Sequence, residues 1–241
     1  MKINTLDIKE LADEENVLEI YLFGSYARGE ADAYSDIDIL IVINDCNEDE
    51  YIRCKDKYAN ILKIPVEWIS LYRYFKIKQM HISGSYFLWH IKNEGHKLYS
   101  KNNQLENILY TLPKYKNVKN DLNEYLLIIS DIEKELDRDN IIINYELSVM
   151  ASLVRNTCIA LSYINGIFDF GRKSVIMTCK KIYPKKIQFS IEEYIILYEY
   201  RLFQTGKLAK ISDGDICMLK KWIDIEKELI KLAFEGVEEY E

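Results

Sequence analysis

The chain alternates short apolar runs with longer amphipathic ones, and the period of that alternation changes near residue 100. Residues 17–23 are β-branched and aromatic and stop at Gly24-Ser25, which predicts a strand ending in a tight turn. Residues 36–43 first alternate carboxylate with aliphatic and then become continuously apolar, the pattern of a central strand. A third strand is predicted over 64–71, opening at Pro65, and a short edge strand over 96–99. Ile8, Leu11 and Ala12 at helical spacing predict a helix over 4–15. Residues 48–62 predict a surface helix, and 72–94 a helical segment broken at Ser83-Gly84. The stretch 26–34 reads as a polar connector.

Beyond Ser100 a short polar junction, Lys101-Asn102-Asn103-Gln104, leads into sequence with helical period almost throughout. Leu122, Leu126, Ile129, Ile132 and Leu136 form one stripe, whereas 145–164 is apolar on several faces and predicts a buried central helix. Two more helices are predicted over 191–202 and 215–234. Four helices with one long connection, 165–190, predict an α-helical bundle, with the acidic residues 235–241 as a solvated tail. The expected class is therefore α+β, with a first domain over 1–103 and a helical domain over 104–241.

Composition narrows the partners. Of 241 residues, 49% are hydrophobic and 29% charged, with three prolines, which suits an ordered, helix-rich protein. The formal net charge is −7, with 13 Lys/Arg against 17 Asp/Glu up to residue 103 and 19 against 22 after it. Neither part is a basic nucleic-acid binder, so a phosphate-bearing ligand must be met by local groups and metal. The early acids Asp7, Glu10, Asp13, Glu14 and Glu15 interrupt any signal-peptide pattern, and the longest apolar run falls short of a bilayer span. Five scattered cysteines without a CxxC pair suggest neither a disulfide framework nor zinc, and a cytoplasmic setting is expected. His81, His90 and His96 are expected to be ordinary packing or surface residues.

The chemistry concentrates in Gly24-Ser25-Tyr26-Ala27-Arg28-Gly29, followed by Ser35-Asp36-Ile37-Asp38. Side chains on a strand alternate faces, so Asp36 and Asp38 project the same way. Two carboxylates so placed repel each other unless a cation sits between them, and a hard divalent ion such as Mg²⁺ suits oxygen ligands. A strand ending in Gly-Ser exposes backbone N–H groups and a hydroxyl where a helix begins, a geometry that receives phosphate oxygens. Either feature alone is common; both in this order, within fifteen residues, is specific.

Gly24-Ser25-x₃-Gly29…Ser35-Asp36-x-Asp38 resembles the signature of the polymerase-β nucleotidyltransferase superfamily. Ala27-Arg28-Gly29 is similar to its small bacterial branch, the minimal and antibiotic nucleotidyltransferases. The resemblance covers 17–70 and extends through Phe87-Leu88-Trp89-His90 and Glu94-Gly95 to residue 99. It implies a mixed sheet with helices as the catalytic core. It also implies attack by an acceptor hydroxyl on the α-phosphorus of a nucleoside triphosphate, with ATP the family's usual donor, and release of pyrophosphate. Two Mg²⁺ ions about 3.5–4 Å apart would serve that step, with Asp36 and Asp38 as ligands. The family's third carboxylate corresponds to Glu67, either a further metal ligand or a base toward the acceptor. Gly24, Ser25 and Ser35 would hold the nucleotide. Arg28 either neutralises phosphate charge or forms a salt bridge that fixes the connector.

The helical part resembles both the helical domain of aminoglycoside nucleotidyltransferases and the HEPN-type bundle that accompanies minimal nucleotidyltransferases. Arg155-Asn156 matches the Arg of the HEPN ribonuclease motif, but Ala160, Leu161 and Ser162 stand where its His belongs. No ribonuclease activity is expected, and Arg155 is expected to pair with a carboxylate. Arg172 and Lys173, with Lys180, Lys181, Lys185 and Lys186, form the main basic stretch. It is either a solvated loop with a short helix or a surface where Arg172 and Lys173 touch triphosphate or an RNA backbone. The favoured acceptor is a small molecule such as an aminoglycoside, whose cationic groups Glu67, Asp131 or Glu135 could face. The alternatives are a toxin–antitoxin or defence-type enzyme acting on a protein or tRNA, and an inactive nucleotide-binding module. No membrane partner is expected, and a homodimer is left open by relatives with shared active sites.

Overall fold

The structure is a computed structural model and describes residues 5–136 and 141–240. By internal packing these residues fall into two compact units, 1–116 and 117–241.

The first unit is built on a four-stranded sheet in the order β3-β2-β1-β4. Strands β1 (Val17–Phe23) and β2 (Asp38–Ile43) are antiparallel, with Phe23 opposite Asp38. Strand β3 (Ile69–Arg73) runs parallel to β2 from the pair Ile39–Ile69, and β4 (His96–Ser100) closes the other edge against β1. The parallel pair needs a crossover, which α3 (Glu48–Leu62) supplies. The Asn47 side chain caps α3 by accepting from the Glu50 amide at 2.9 Å.

The period of two along β2 sorts its side chains onto two cores. Ile37, Ile39, Ile41 and Ile43 pack with Ile8 and Leu11 of α1 (Thr5–Ala12) and with Tyr58 and Leu62 of α3. Leu40 and Val42 face the opposite core. There they meet Ile77 of α4 (Tyr74–Ser83), Leu88 and Ile91 of α5 (Tyr86–Glu94), and Leu105 and Leu109 of α6 (Gln104–Tyr110). Helix α6, which its period groups with the helical part, thus belongs by packing to the first unit. Buried Glu19 on β1 fastens its start by accepting from the Leu105 amide at 3.2 Å.

Three local expectations change. The connector after Phe23 begins with a short helix, α2 (Gly24–Arg28), which Gly29 ends in the left-handed conformation at φ 72°. The third strand starts at Ile69 rather than 64, because Pro65 cannot donate to a ladder and Val66–Trp68 coil into a 3₁₀ turn. Helix α1 is described over Thr5–Ala12.

The second unit is helical: α7 (Val118–Leu136), α8 (Ile143–Ile164), α9 (Ser174–Ile182), α10 (Ile191–Gln204) and α11 (Ile216–Tyr240). Helix α8 is the bundle's core element; it is long and apolar enough to cross a membrane by composition, but most of it is buried in the fold. The connection 165–190 contains α9, whose start is organised by Asp169, which accepts from Ser174 Oγ at 2.7 Å and Thr178 Oγ1 at 2.8 Å. Residues 235–240 continue α11 instead of forming a tail, and Val237 is 1% exposed, which holds that last turn against the bundle. Glu241 lies outside the described residues.

Candidate active site

The sequence puts a glycine where β1 must turn abruptly into α2. Gly24 has φ +71°, the left-handed region that glycine enters without a steric cost. A Cβ built there would lie 2.2 Å from Asp38 Oδ2. The Asp38 carboxylate therefore occupies the space that a side chain at 24 would fill, and the turn and the acid are in direct apposition. That closeness follows from register, since Asp38 starts β2 opposite Phe23.

Asp36 precedes the strand, yet Ile37 is buried in the same core as Ile39, so the extended alternation runs back at least one residue. Asp36 thus falls on the face of Asp38, Leu40 and Val42, and both acids are half-buried at the strand's start. Hard oxygen donors from one face, beside a turn with no Cβ, fit a divalent cation such as Mg²⁺. Among the described residues, no group of three acidic, His or Cys side chains is gathered as a metal set. Glu67 lies on the 3₁₀ turn, exposed, two residues ahead of the Ile39–Ile69 pair and so at the same end of the sheet as Asp38. The conformation does not draw it into a group with Asp36 and Asp38.

The remaining candidates are engaged as follows. Ser35 donates from Oγ to Asp32 Oδ1 at 2.9 Å and accepts from the Asp32 amide at 2.9 Å, which shapes the connector ahead of Asp36. Arg28 places Nε 2.8 Å from Glu30 Oε2 and pairs through its other arm with Glu94. Burial opposes the Arg28 charge, but the hydrogen bonds Arg28 donates to Glu30 and Glu94, with their negative charge, outweigh that and raise the guanidinium's pKa. The salt bridge, one of the two roles open to Arg28, is present. Glu94 also meets His90 Nε2 at 2.8 Å. Burial alone would raise the Glu94 carboxyl, and His90 and Arg28 together hold it below the ordinary range.

In the second unit Arg172 stacks over Tyr198 at 4.7 Å, and Lys173 is an exposed residue at the start of α9. Lys180 donates to the carbonyls of Ile187, at 3.3 Å, and Phe189, which makes it an interior tie of its loop. Arg155 donates to the Phe170 carbonyl at 2.5 Å, not to a carboxylate as expected. A backbone oxygen takes one of the guanidinium's donors without adding a second charge. The cysteines are free, His81 bonds Thr111 at 3.0 Å, and His96 is exposed on β4.

A family model described as polymerase beta, nucleotidyltransferase, matches residues 7–104. A protein of Methanocaldococcus jannaschii assigned as a protein adenylyltransferase is 40% identical over 63 residues, 26% of this chain and 73% of that protein. Among solved structures, a spectinomycin adenyltransferase from Enterococcus faecialis, with ATP and spectinomycin, aligns over 94% of this chain and 97% of its own. Its TM-score is 0.55 and its identity 11%. A toxin–antitoxin structure with AMP-PNP aligns over 58% of this chain and all of its own, at TM-score 0.34 and 20% identity.

Proposed function

This chain belongs to the polymerase-β nucleotidyltransferase family, and from that premise we propose that it transfers AMP from ATP to a hydroxyl of a small molecule, releasing pyrophosphate. The observation that carries the reading is the apposition of the Asp38 carboxylate with Gly24. It supports pairing an acid proposed to bind metal with a turn proposed to grip phosphate.

Asp36 and Asp38 would hold Mg²⁺ on the triphosphate. When bound, the metal supplies charge neutralisation at the α-phosphate and lowers the pKa of the acceptor hydroxyl. The amides of Gly24 and Ser25 and the Ser25 hydroxyl donate to phosphate oxygens, and glycine at 24 keeps the backbone close to the acid. Glu67 is assigned to the acceptor side, as the base that takes the hydroxyl proton. Its exposed place at the same end of the sheet, outside any three-acid group, supports that role over a further metal ligand.

A small-molecule acceptor is supported by the extent of the fold likeness to the spectinomycin adenyltransferase, which includes the helical part. A protein acceptor is the second reading, favoured by the M. jannaschii relative and its assignment as a protein adenylyltransferase. Mg²⁺ and α-labelled ATP offered with spectinomycin, an aminoglycoside panel, total protein and tRNA separate the two. Label on a drug supports the first reading, and label on protein alone overturns it. Asp38→Asn should lower transfer on the order of 10³-fold, several kcal/mol of barrier, with an unchanged melting temperature. A metal-dependent Asp38→Asn enzyme of normal rate would remove the assignment. Glu67→Gln should lower kcat while leaving the KM for ATP in place.

A further inference from the structure

Helix α5 carries Phe87, His90 and Glu94 at spacings of three and four residues, hence on one stripe. The Phe87 ring meets Phe23 edge-on, with centroids 5.5 Å apart and planes at 86°. The His90 ring meets the same Phe23 at 5.2 Å and 89°. Phe23 is the last residue of β1, directly ahead of Gly24 and opposite Asp38. One turn further along the stripe, Glu94 meets His90 Nε2 at 2.8 Å and pairs with Arg28, the last residue of α2. A single helical face therefore grips the chain on both sides of the phosphate-binding turn.

The ion pair is well shielded, with the Glu94 side chain 9% and the Arg28 side chain 18% exposed. Charge-assisted bonds in such surroundings are stronger and more sharply oriented than surface pairs. Gly24 and Gly29 both take the left-handed conformation, so α2 enters and leaves through permissive positions, and a fastening at Arg28 fixes its direction.

We propose that Glu94 is a positioning residue for the nucleotidyl transfer described above: with His90 it holds Arg28, and through Arg28 it sets the angle at which α2 offers the Gly24-Ser25 amides beside Asp38. The inference rests on that reading of the site. Arg28 acts through the turn, not by touching phosphate.

A double-mutant cycle on the full chain tests this: Arg28→Gln, Glu94→Gln and the pair together, each assayed for kcat, KM for MgATP and melting temperature. Residues acting as one unit are non-additive. Each single change should lower kcat/KM about tenfold, and the double change should cost no more than either single. Arg28→Lys, which keeps a cation near Glu94, should recover part of the loss. A drop for Arg28→Gln with normal kinetics for Glu94→Gln would mean direct phosphate contact and would overturn the proposal. Additive losses would do the same, as would a lower melting temperature with unchanged kinetics. Should a glutamine variant not fold, His90→Phe preserves an edge-on ring against Phe23 while removing the nitrogen that meets Glu94. A several-fold fall in kcat/KM supports the clamp, and no fall overturns it. A wild-type protein without MgATP-dependent transfer would remove this proposal together with the function it rests on. An active wild type with unaffected variants removes this proposal alone.

Discussion

Gly24 is under two constraints at once: its φ of +71° and an Asp38 oxygen 2.2 Å from where a Cβ would stand. Gly24→Ala would incur about 1–2 kcal/mol of left-handed strain and would also push the carboxylate away. The second effect falls on function. Transfer should drop on the order of 10²-fold, as a misplacement of about 1 Å can produce, while the protein still melts cooperatively a few degrees lower. Initial rates and a thermal melt on one preparation check both halves, and a Gly24→Ala protein of normal rate would show that the acid and the turn do not work together. This residue and its partners were legible in the sequence because the Gly-Ser turn and the D-x-D pattern are local. Glu94 was legible only within the family resemblance and not as a partner of Arg28, from which it is 66 residues away along the chain. Glu67 was legible as an acid and was expected on the third strand, but its place on a 3₁₀ turn ahead of that strand depends on how Pro65 turns the chain.

Among the elements, those with a strong period were read to within a few residues, and those set by caps or chain direction were not. Helix α3 matches its expected span, and β1 ends where Gly24 requires. Helix α9 was expected only as a short helix without bounds, because nine residues inside a polar, basic connection carry little periodic signal, and its start depends on Asp169 reaching Ser174 and Thr178. Helix α10 shows the opposite case, a start written in four letters. Ser190 Oγ accepts from the Glu193 amide at 3.1 Å, and Glu193 Oε2 accepts from the Ser190 amide at 2.7 Å, a reciprocal capping box. Ser190→Ala removes one half of it and should destabilise the helical unit by about 1 kcal/mol. The urea midpoint of the variant reports that loss, and an unchanged midpoint would mean that packing alone sets where α10 begins.

For the molecule as a whole, helical period grouped 104–110 with the helical part, whereas Leu105 and Leu109 share a core cluster with Leu40 and Phe23, so packing puts α6 in the first unit. Composition said nothing of the interior of the helical unit, where one buried acid contributes to how stability responds to pH. Glu226 on α11 is fully buried, with Oε1 accepting from Thr157 Oγ1 and, among the described residues, no partner for Oε2. Burial raises its pKa to about 8 from 4.5, against a smaller lowering by the Thr157 hydrogen bond. Between those values the folded protein keeps a proton that the unfolded chain has lost, so unfolding releases it. This contribution to stability is whole below about pH 4.5, declines as pH rises, and is gone above about pH 8. Carboxylates held low, such as Glu94, act in the opposite sense. The cleanest readout is therefore a comparison with Glu226→Gln, which is neutral at every pH and can still accept from Thr157. Wild type should lose urea resistance between pH 6 and pH 8.5 relative to Glu226→Gln, with the two converging toward pH 5. Parallel midpoints for the two proteins across that range would mean that Glu226 is not protonated in the fold.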